Sequence, residues 1–340
     1  MFLSLSILDQ SPIVTDRSPE AAIAATIELA RRAEELGYAR YWLAEHHAMR
    51  GLADASPEVL LARLTAETSR IRLGTGGVML PHYSALKVAE SFRMLEALAP
   101  GRIDLGIGRA PGGSGLVSAA LESRDVASFP RQIADVIDYL DGTTPADSPF
   151  AALSAMPSGR SSPEVWLLGS SDYGALLAAE MGLPYTFAHF IAGDASAVTR
   201  AYRERFRPSA RCASPRVIVA LAAIVAPTDA EAEALTWPAA LWRMRLFRGI
   251  STPVPSIAET ERYPWMPRER FEVEQTRRVV FGSPATVRAK IEGLVDAHGA
   301  DEAMIVTILP DYATRMRSYE LLARAFTERG EQSAALIAAR

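Results

Sequence analysis

Residues 71–113 read IRLGTGGVMLPHYSALKVAESFRMLEALAPGRIDLGIGRAPGG and alternate between two patterns. An apolar run around Gly76-Gly77 comes first, residues 85–98 then carry apolar side chains at helical spacing, and a second apolar run ends at Arg109. The stretch therefore predicts strand, helix and strand. Because a helical crossover joins parallel strands, the glycine pair and Arg109 would lie at the same edge of a sheet. Glycine backbone allows a flat ring to approach closely, and an arginine beside it can pair with a phosphate. This combination suits a flat ligand that carries a phosphate.

The same alternation of strand and helix patterns runs through the chain and predicts an α/β fold. Eight segments have strand patterns, at 3–8, 40–44, 71–78, 103–107, 164–168, 185–188, 216–225 and 303–308. Helical spacing lies between them, for example at 21–36, 284–297 and 312–326. Eight such units without a break in composition predict a (β/α)8 TIM barrel. A doubly wound open sheet is the alternative, since alternation alone does not determine closure.

Two segments do not follow this repeat. Residues 143–163 are rich in Pro, Ser, Ala and Gly and predict a surface loop. Residues 248–282 carry four prolines and are long for a plain connection, so we interpret them as an insertion near the C-terminal end of the barrel. This insertion is either a surface excursion or a lid over the barrel mouth. We treat residues 1–340 as a single domain that contains it.

Composition excludes several classes of protein. The 340 residues have a formal net charge of -4, which argues against a nucleic-acid partner. The longest strongly apolar run, 217–226, is too short to span a membrane, and the start of the chain lacks the basic region of a signal peptide. Cys212 is the one cysteine and fits a reducing compartment. These features predict a cytoplasmic protein without a membrane anchor.

Ionisable residues follow the second predicted strand. Glu45, His46 and His47 stand at its C-terminal end, where barrel enzymes place their catalytic groups. Neighbouring strand side chains point to opposite faces, so the two histidines are poor joint metal ligands and no metal site is predicted. One histidine would face the pocket while the other is packed or hydrogen-bonded behind it. A pair of packed or solvated histidines is the alternative interpretation.

A second polar cluster follows the predicted strand at 164–168. Gly169, Ser170 and Ser171 precede a helix, and such a pair of serines is first a capping signal. The free N–H groups of a helix start also bind anions, and Arg109 would supply positive charge to a phosphate there. Asp172 opposes this interpretation unless its carboxylate turns away or caps the helix.

Taken together, these residues resemble the bacterial luciferase-like flavin monooxygenases. The resemblance covers nearly the whole chain and is specific because the motifs occur jointly and in order. They are LSILD (5–9), WLAEHH (42–47), GTGGVMLPH (74–82), APGRIDLG (99–106), GLPY (182–185), FGSP (281–284) and RSYELL (317–322). The chain looks closest to single-chain members of the family, not to the light-emitting two-subunit enzyme.

The resemblance implies a homodimeric barrel that uses FMN in its reduced form. It implies a catalytic or substrate-side role for His46, with His47 and Glu45 in support. The resemblance also implies which residues bind the cofactor: Gly76, Gly77, Gly108, the phosphate-binding Arg109, Gly169, Ser170 and Ser171. At the position of Gly76-Gly77 the family often has a non-prolyl cis peptide beneath the flavin ring.

Three positions depart from relatives within this family. Gly108 stands where the luciferase large subunit has a reactive cysteine, Gly174 stands where many members have a hydroxyl residue that contacts phosphate, and Ser84-Ala85 replaces a histidine-proline pair. These departures argue against light emission and leave flavin binding in place. The prediction is a monooxygenase that takes reduced FMN from a separate NAD(P)H flavin reductase and oxidises a small, apolar organic substrate with oxygen. The alternatives are a deazaflavin-dependent hydride-transfer enzyme and a non-catalytic FMN-binding protein; a metal-dependent hydrolase is a more distant one.

Overall fold

The computed structural model describes residues 3–110 and 112–338, with side chains as far as residue 327. Its strands are β1 (Ser4–Asp9), β2 (Arg40–Leu43), β3 (Arg72–Thr75), β4 (Val78–Met79), β5 (Ile103–Gly108), β6 (Glu164–Gly169), β7 (Tyr185–Ala188), β8 (Val217–Val225), β9 (Val279–Gly282) and β10 (Glu302–Val306). Its helices are α1 (Pro19–Glu35), α2 (Pro57–Glu67), α3 (Ala85–Leu98), α4 (Gly115–Ala120), α5 (Phe129–Asp141), α6 (Asp172–Met181), α7 (His189–Ala192), α8 (Ser196–Arg205), α9 (Asp229–Phe247), α10 (Ile257–Arg262), α11 (Pro267–Thr276), α12 (Pro284–His298) and α13 (Tyr312–Ala338).

The sheet closes on itself. Its strands follow the order β1, β2, β3, β5, β6, β7, β8 and β10, and β10 pairs with β1. Every pairing is parallel, and helices surround the barrel. The eight strands predicted from the sequence are those of this barrel, so the TIM-barrel prediction is confirmed and the open sheet is wrong.

Side chains fill the barrel from inside because alternate residues of each strand point inward. Trp42 and Trp166 meet edge to face there, with ring centroids 5.7 Å apart. Ile218 and Met304 pack with them and are also fully buried. The outward residues form a larger apolar core against the helices. The barrel is therefore a packed core, and ligands are left to its ends.

Charged residues close the N-terminal end of the barrel. The Arg40 guanidinium is buried and lies 2.7 Å from Asp104, 3.1 Å from Glu164 and 3.2 Å from Glu302. Each of these residues stands first or second in its strand. Together they form a buried ion network opposite the end that carries the predicted site.

Two details of the strands differ from the prediction. The strand expected at 71–78 breaks at the Gly76-Gly77 peptide bond, which is cis, and resumes as β4 against the end of β5. β9 was not predicted, and it pairs with the last residues of β8. Residues 143–163 contain neither helix nor strand, as expected of a loop.

The predicted insertion at 248–282 contains α10, α11 and β9. Its first part is docked on loops at the C-terminal end of the barrel. Val254 bridges to Val14 after β1, and the Trp242 indole of α9 donates a hydrogen bond of 2.9 Å to the Thr252 carbonyl. Val14, Leu52, Trp242 and Val254 form a separate buried apolar cluster. The segment thus lies at the end of the barrel where a lid would act, and its opening and closing remain a prediction.

Within 3–110 and 112–338, no helix is both long and apolar enough to cross a membrane. Cys212 is buried and donates through its Sγ to the Ser214 carbonyl at 3.0 Å. Burial raises the pKa of this thiol, so it is protonated at neutral pH and a poor nucleophile.

Candidate functional site

The predicted site residues follow four strands that are neighbours in the barrel. Glu45, His46 and His47 follow β2, the Gly76-Gly77 pair follows β3, Arg109 follows β5, and Ser170 and Ser171 follow β6. Because all four strands are parallel, these residues lie along one arc of the C-terminal rim. The structure thus brings together, along one arc, the groups that the sequence placed in separate motifs.

Glu45 is the centre of one end of this arc. Its carboxylate is fully buried and has three partners. Oε1 lies 2.6 Å from His47 Nε2 and accepts a hydrogen bond of 2.9 Å from the Tyr83 hydroxyl. Oε2 accepts a hydrogen bond of 3.0 Å from the Met79 backbone N–H. One carboxylate therefore connects the turn after β2 with the segment that follows the cis peptide.

His46 differs from His47 in its surroundings. Its Nδ1 atom is buried and has no hydrogen-bond partner within the described structure. The pKa of His46 is lowered to about 4, mainly by burial; a hydrogen bond with the Ala44 backbone opposes this shift and the neighbouring His47 adds to it. The imidazole is therefore neutral at pH 7. His47 is thus hydrogen-bonded to Glu45, and that His46 is the histidine facing a ligand stays a prediction.

Sequence reasoning missed Asp54, which lies beside His46. The backbone N–H of His46 donates to the Asp54 carbonyl at 3.1 Å. The Asp54 carboxyl is buried; Oδ1 accepts from the Ser56 N–H at 3.1 Å, and Oδ2 is buried without a partner among the described residues. Burial raises the pKa of Asp54 to about 7, and the negative charges of Asp9, Glu58 and Glu45 contribute. A loop position with no flanking motif gave no signal for this group.

His82 and Tyr83 also belong to this cluster. In the structure the His82 ring meets His47 edge to face at 5.6 Å between centroids, and its Nδ1 lies 2.5 Å from Ser123 Oγ. Their position in the sequence could have indicated this, because residues that closely follow the end of a barrel strand lie at the C-terminal rim.

The glycines of the arc allow backbones to approach closely. A Cβ on Gly77 would lie 2.7 Å from the Gly106 carbonyl oxygen, and one on Gly76 would lie 2.4 Å from Leu8 Cδ1. Gly108 is buried in β5, and a Cβ there would meet Met79 Sδ at 3.3 Å. Close packing between strands thus accounts for these glycines. Of the three, Gly76 is half-buried, whereas Gly77 and Gly108 are buried.

Arg109 and the start of α6 form the other end of the arc. Arg109 is exposed, and its guanidinium carbon lies 4.1 Å from the centroid of the Tyr173 ring in the first turn of α6. Ser171 occupies the N-cap position, but its side chain makes no capping hydrogen bond, so the capping interpretation is wrong for its hydroxyl. Ser170 and Gly169 are half-buried beside it. A cation therefore lies next to a helix N-terminus that has no side-chain cap.

Two further aromatic side chains, Trp42 and Tyr263, pack away from the arc. Trp42 is buried inside the barrel and donates to Asp104 at 2.9 Å. Tyr263 packs against Trp265, with centroids 4.9 Å apart, inside the 248–282 segment. A cavity of about 680 Å³ between α1 and α13 is lined by none of the predicted site residues. This cavity therefore lies away from the arc.

These residues fit the phosphate and ring of a flavin. The guanidinium beside an uncapped helix start suits a phosphate, and glycine backbone at the rim suits a flat ring. A metal centre has no comparable support, because no group of three His, Cys, Asp or Glu in the described part of the chain could hold an ion.

Comparison with known proteins agrees with this geometry. Residues 3–302 match the model of a family described as luciferase-like monooxygenase. The chain is 39% identical over 324 residues to a luciferase-like monooxygenase of Escherichia coli, covering 94% of this chain and 96% of that protein. It is 35% identical over 327 residues to the N-acetyl-S-alkylcysteine monooxygenase of Bacillus subtilis, covering 95% and 98%.

Solved structures show the same similarity. The crystal structure of apo-MsnO8 superposes with a TM-score of 0.89 at 41% identity, covering 96% of this chain and 98% of that one. An FMN complex of the oxygenating constituent of 3,6-diketocamphane monooxygenase shares the fold with a TM-score of 0.70 at 20% identity, covering 96% of this chain and 98% of that one. An F420-dependent secondary alcohol dehydrogenase shares it with a TM-score of 0.68 at 15% identity, covering 96% and 99%. The chain therefore belongs to the luciferase-like monooxygenase family.

Proposed function

We propose that this protein is an FMN-dependent monooxygenase that inserts one atom of molecular oxygen into a small organic substrate. The observation that carries the proposal is the arc of the rim, which has a cation beside a helix N-terminus at one end and a buried Glu45 with two histidines at the other. Family membership makes an oxidoreductase of this type the function to test. The related N-acetyl-S-alkylcysteine monooxygenase makes thioethers the first substrates to try.

In this proposal Arg109 and the first turn of α6 hold the FMN phosphate, with Ser170 and Ser171 contributing hydroxyl or backbone donors. The backbone of Gly76, Gly77 and Gly108 lies against the ring. Bound reduced FMN supplies the two electrons that send one oxygen atom to the substrate and release the other as water.

His46 exchanges the proton that this reaction requires. Its imidazole is neutral at pH 7, because its pKa is lowered to about 4, mainly by burial. We assign the exchange to its buried Nδ1 atom, which has no hydrogen-bond partner among the described residues. Glu45 and His47 support it from the adjacent positions. The 248–282 segment, docked at the same end of the barrel, excludes water from the site when it closes.

The proposal includes partners that lie outside this chain. A separate NAD(P)H flavin reductase provides the reduced FMN, since no nicotinamide-binding fingerprint is present in the sequence. We also propose a cytoplasmic homodimer, as the resemblance to the family implies.

The cofactor is tested by titrating the protein with FMN, riboflavin and coenzyme F420 while following absorbance and fluorescence. Tight binding of FMN supports the proposal, whereas preference for the deazaflavin would replace it with a hydride-transfer enzyme.

Turnover is then measured with enzymatically reduced FMN, ¹⁸O₂ and a panel of thioethers and ketones. Incorporation of one labelled oxygen atom into product is expected. His46→Ala should bind FMN normally and form product at least 100-fold more slowly, in line with the loss of a general acid–base group. Peroxide release without labelled product from the whole panel would favour a flavin-binding protein without this activity.

A further inference from the structure

The hydrogen bonds around Glu45 determine where His47 carries its proton. The Met79 backbone N–H can only donate, and it does so to Oε2 at 3.0 Å. Tyr83 donates to Oε1 at 2.9 Å, and burial together with the Glu45 charge raises the pKa of Tyr83, which keeps its hydroxyl protonated. An ionised carboxylate accepts hydrogen bonds and donates none. The hydrogen between His47 Nε2 and Oε1, which lie 2.6 Å apart, is assigned to the nitrogen on this basis.

The His47 ring is also held from a second side. Ser123 Oγ donates its single hydrogen to the Ser118 carbonyl at 2.9 Å, so it accepts from His82 Nδ1 at 2.5 Å. His82 in turn presents its ring to His47, with an interplanar angle of 84°. Four side chains from the turn after β2, the turn after β4 and the loop after α4 thus fix one imidazole.

We propose that Tyr83 is a positioning residue of the reaction, which orients the Glu45 carboxylate so that His47 is protonated on Nε2 and presents Nδ1 as a hydrogen-bond acceptor. This inference deepens the proposed function and rests on it. Tyr83 does not need to touch substrate or cofactor, because it acts through Glu45.

The same network joins the two ends of the arc. The His47 backbone N–H donates to the Gly112 carbonyl at 2.9 Å, and Gly112 lies in the loop that begins with Arg109. A Cβ on Gly112 would lie 3.3 Å from the Glu45 carbonyl oxygen, so this loop packs closely on the turn after β2. These contacts between the two ends involve backbone atoms and not the Tyr83 hydroxyl, so loss of the hydroxyl should disturb the proton-exchanging end and leave the cation end unchanged.

The test is a ¹⁵N NMR spectrum of the histidine rings, recorded without cofactor, in the wild type and in Tyr83→Phe. The wild type should show His47 with the proton on Nε2, assigned by its loss in His47→Asn. Tyr83→Phe should shift both ring nitrogens of His47 and add a population protonated on Nδ1. Tyr38→Phe is the matched control, because Tyr38 also donates one buried hydrogen bond, of 2.8 Å to the Tyr319 carbonyl, away from the arc. The control should leave the His47 signals in place.

Turnover gives an independent readout. Tyr83→Phe should lower kcat about tenfold with KM and FMN affinity unchanged, a part of what a positioned acid–base group contributes. A His47 protonated on Nδ1 in the wild type, or His47 signals and kcat that Tyr83→Phe leaves unchanged, would overturn the inference. A wild type without oxygenase activity that still shows the predicted tautomer and its loss in Tyr83→Phe would instead overturn the proposed function.

Discussion

At the scale of single residues, Arg109 is the one whose proposed role is easiest to isolate. It is exposed and contacts Tyr173 through its guanidinium, so its removal should cost little folding stability. We expect Arg109→Met to weaken FMN binding roughly 10- to 100-fold, because a hydrogen bond to a charged group contributes about 1.5–3 kcal/mol. Riboflavin lacks the phosphate and should bind wild type and variant alike in the same fluorescence titration. Equal weakening of both ligands would place Arg109 away from the phosphate.

His46 should make the stability of the protein depend on pH. Its pKa is about 4 in the folded protein, mainly through burial, against 6.5 for an ordinary histidine. Below pH 6.5 the unfolded chain takes up a proton that the folded protein does not, so stability falls as the pH drops towards 4, by at most about 3 kcal/mol. His46→Gln should remove this loss. The check is urea unfolding of both proteins at pH 7 and pH 4.5; parallel losses in the two would contradict it.

Asp54 should give the stability of the protein the opposite pH dependence, with a loss as the pH rises. Burial raises the pKa of Asp54 from 3.8 to about 7. Between these pH values the unfolded chain releases a proton that the folded protein retains, so Asp54 lowers the unfolding free energy more and more as the pH rises. Asp54→Asn keeps an oxygen to accept from Ser56 and removes the charge. Its unfolding free energy should exceed that of the wild type by roughly 2–4 kcal/mol at pH 8 and match it near pH 4. A variant less stable at pH 8 would show that the buried carboxylate is well solvated or paired.

At the scale of elements, the approach of β3 to β5 depends on glycine. A Cβ on Gly77 would lie 2.7 Å from the Gly106 carbonyl oxygen, so Gly77→Ala should cost about 1–3 kcal/mol through overpacking. Gly293 in the middle of α12 is the matched control, because a Cβ there meets no atom within 4 Å. Gly293→Ala should raise the unfolding free energy by about 1 kcal/mol. Thermal unfolding of both variants checks the contrast, and a stable Gly77→Ala would mean that the strands separate easily.

The strands and turns also show which parts of the structure could be predicted from the sequence. Eight strands could be predicted because their apolar runs alternate with helical spacing, which is a local property. β9 could not, because it has only four residues and forms a strand by pairing with the end of β8. The turn with Glu45 was recognised from its residues, but the partnership with Tyr83 and His82 was not. Those contacts join positions more than 30 residues apart, and the fold alone brings them together.

At the scale of the whole molecule, stability and ligand binding are assigned to opposite ends of the barrel. The arc of proposed binding and catalytic groups lies at the C-terminal rim, whereas the ion network around Arg40 lies at the other end, with the buried Trp42 and Trp166 between them. Barrel enzymes commonly separate the two tasks in this way. The separation makes it possible to alter one end and measure the other.

Arg40→Met tests that separation directly. Arg72 still pairs with Asp104 and Arg216 still pairs with Glu164, so Glu302 is the carboxylate that loses its guanidinium partner. Breaking a buried ion pair costs about 3–5 kcal/mol. Burial already raises the pKa of Glu302, and Arg40 opposes that rise, so the loss should grow as the pH increases and Glu302 must ionise. Unfolding in urea at pH 6 and pH 8 measures the loss, and FMN titration of the still-folded variant should give the wild-type affinity. Weakened FMN binding at full folding would mean that the packed interior transmits the change from one end of the barrel to the other.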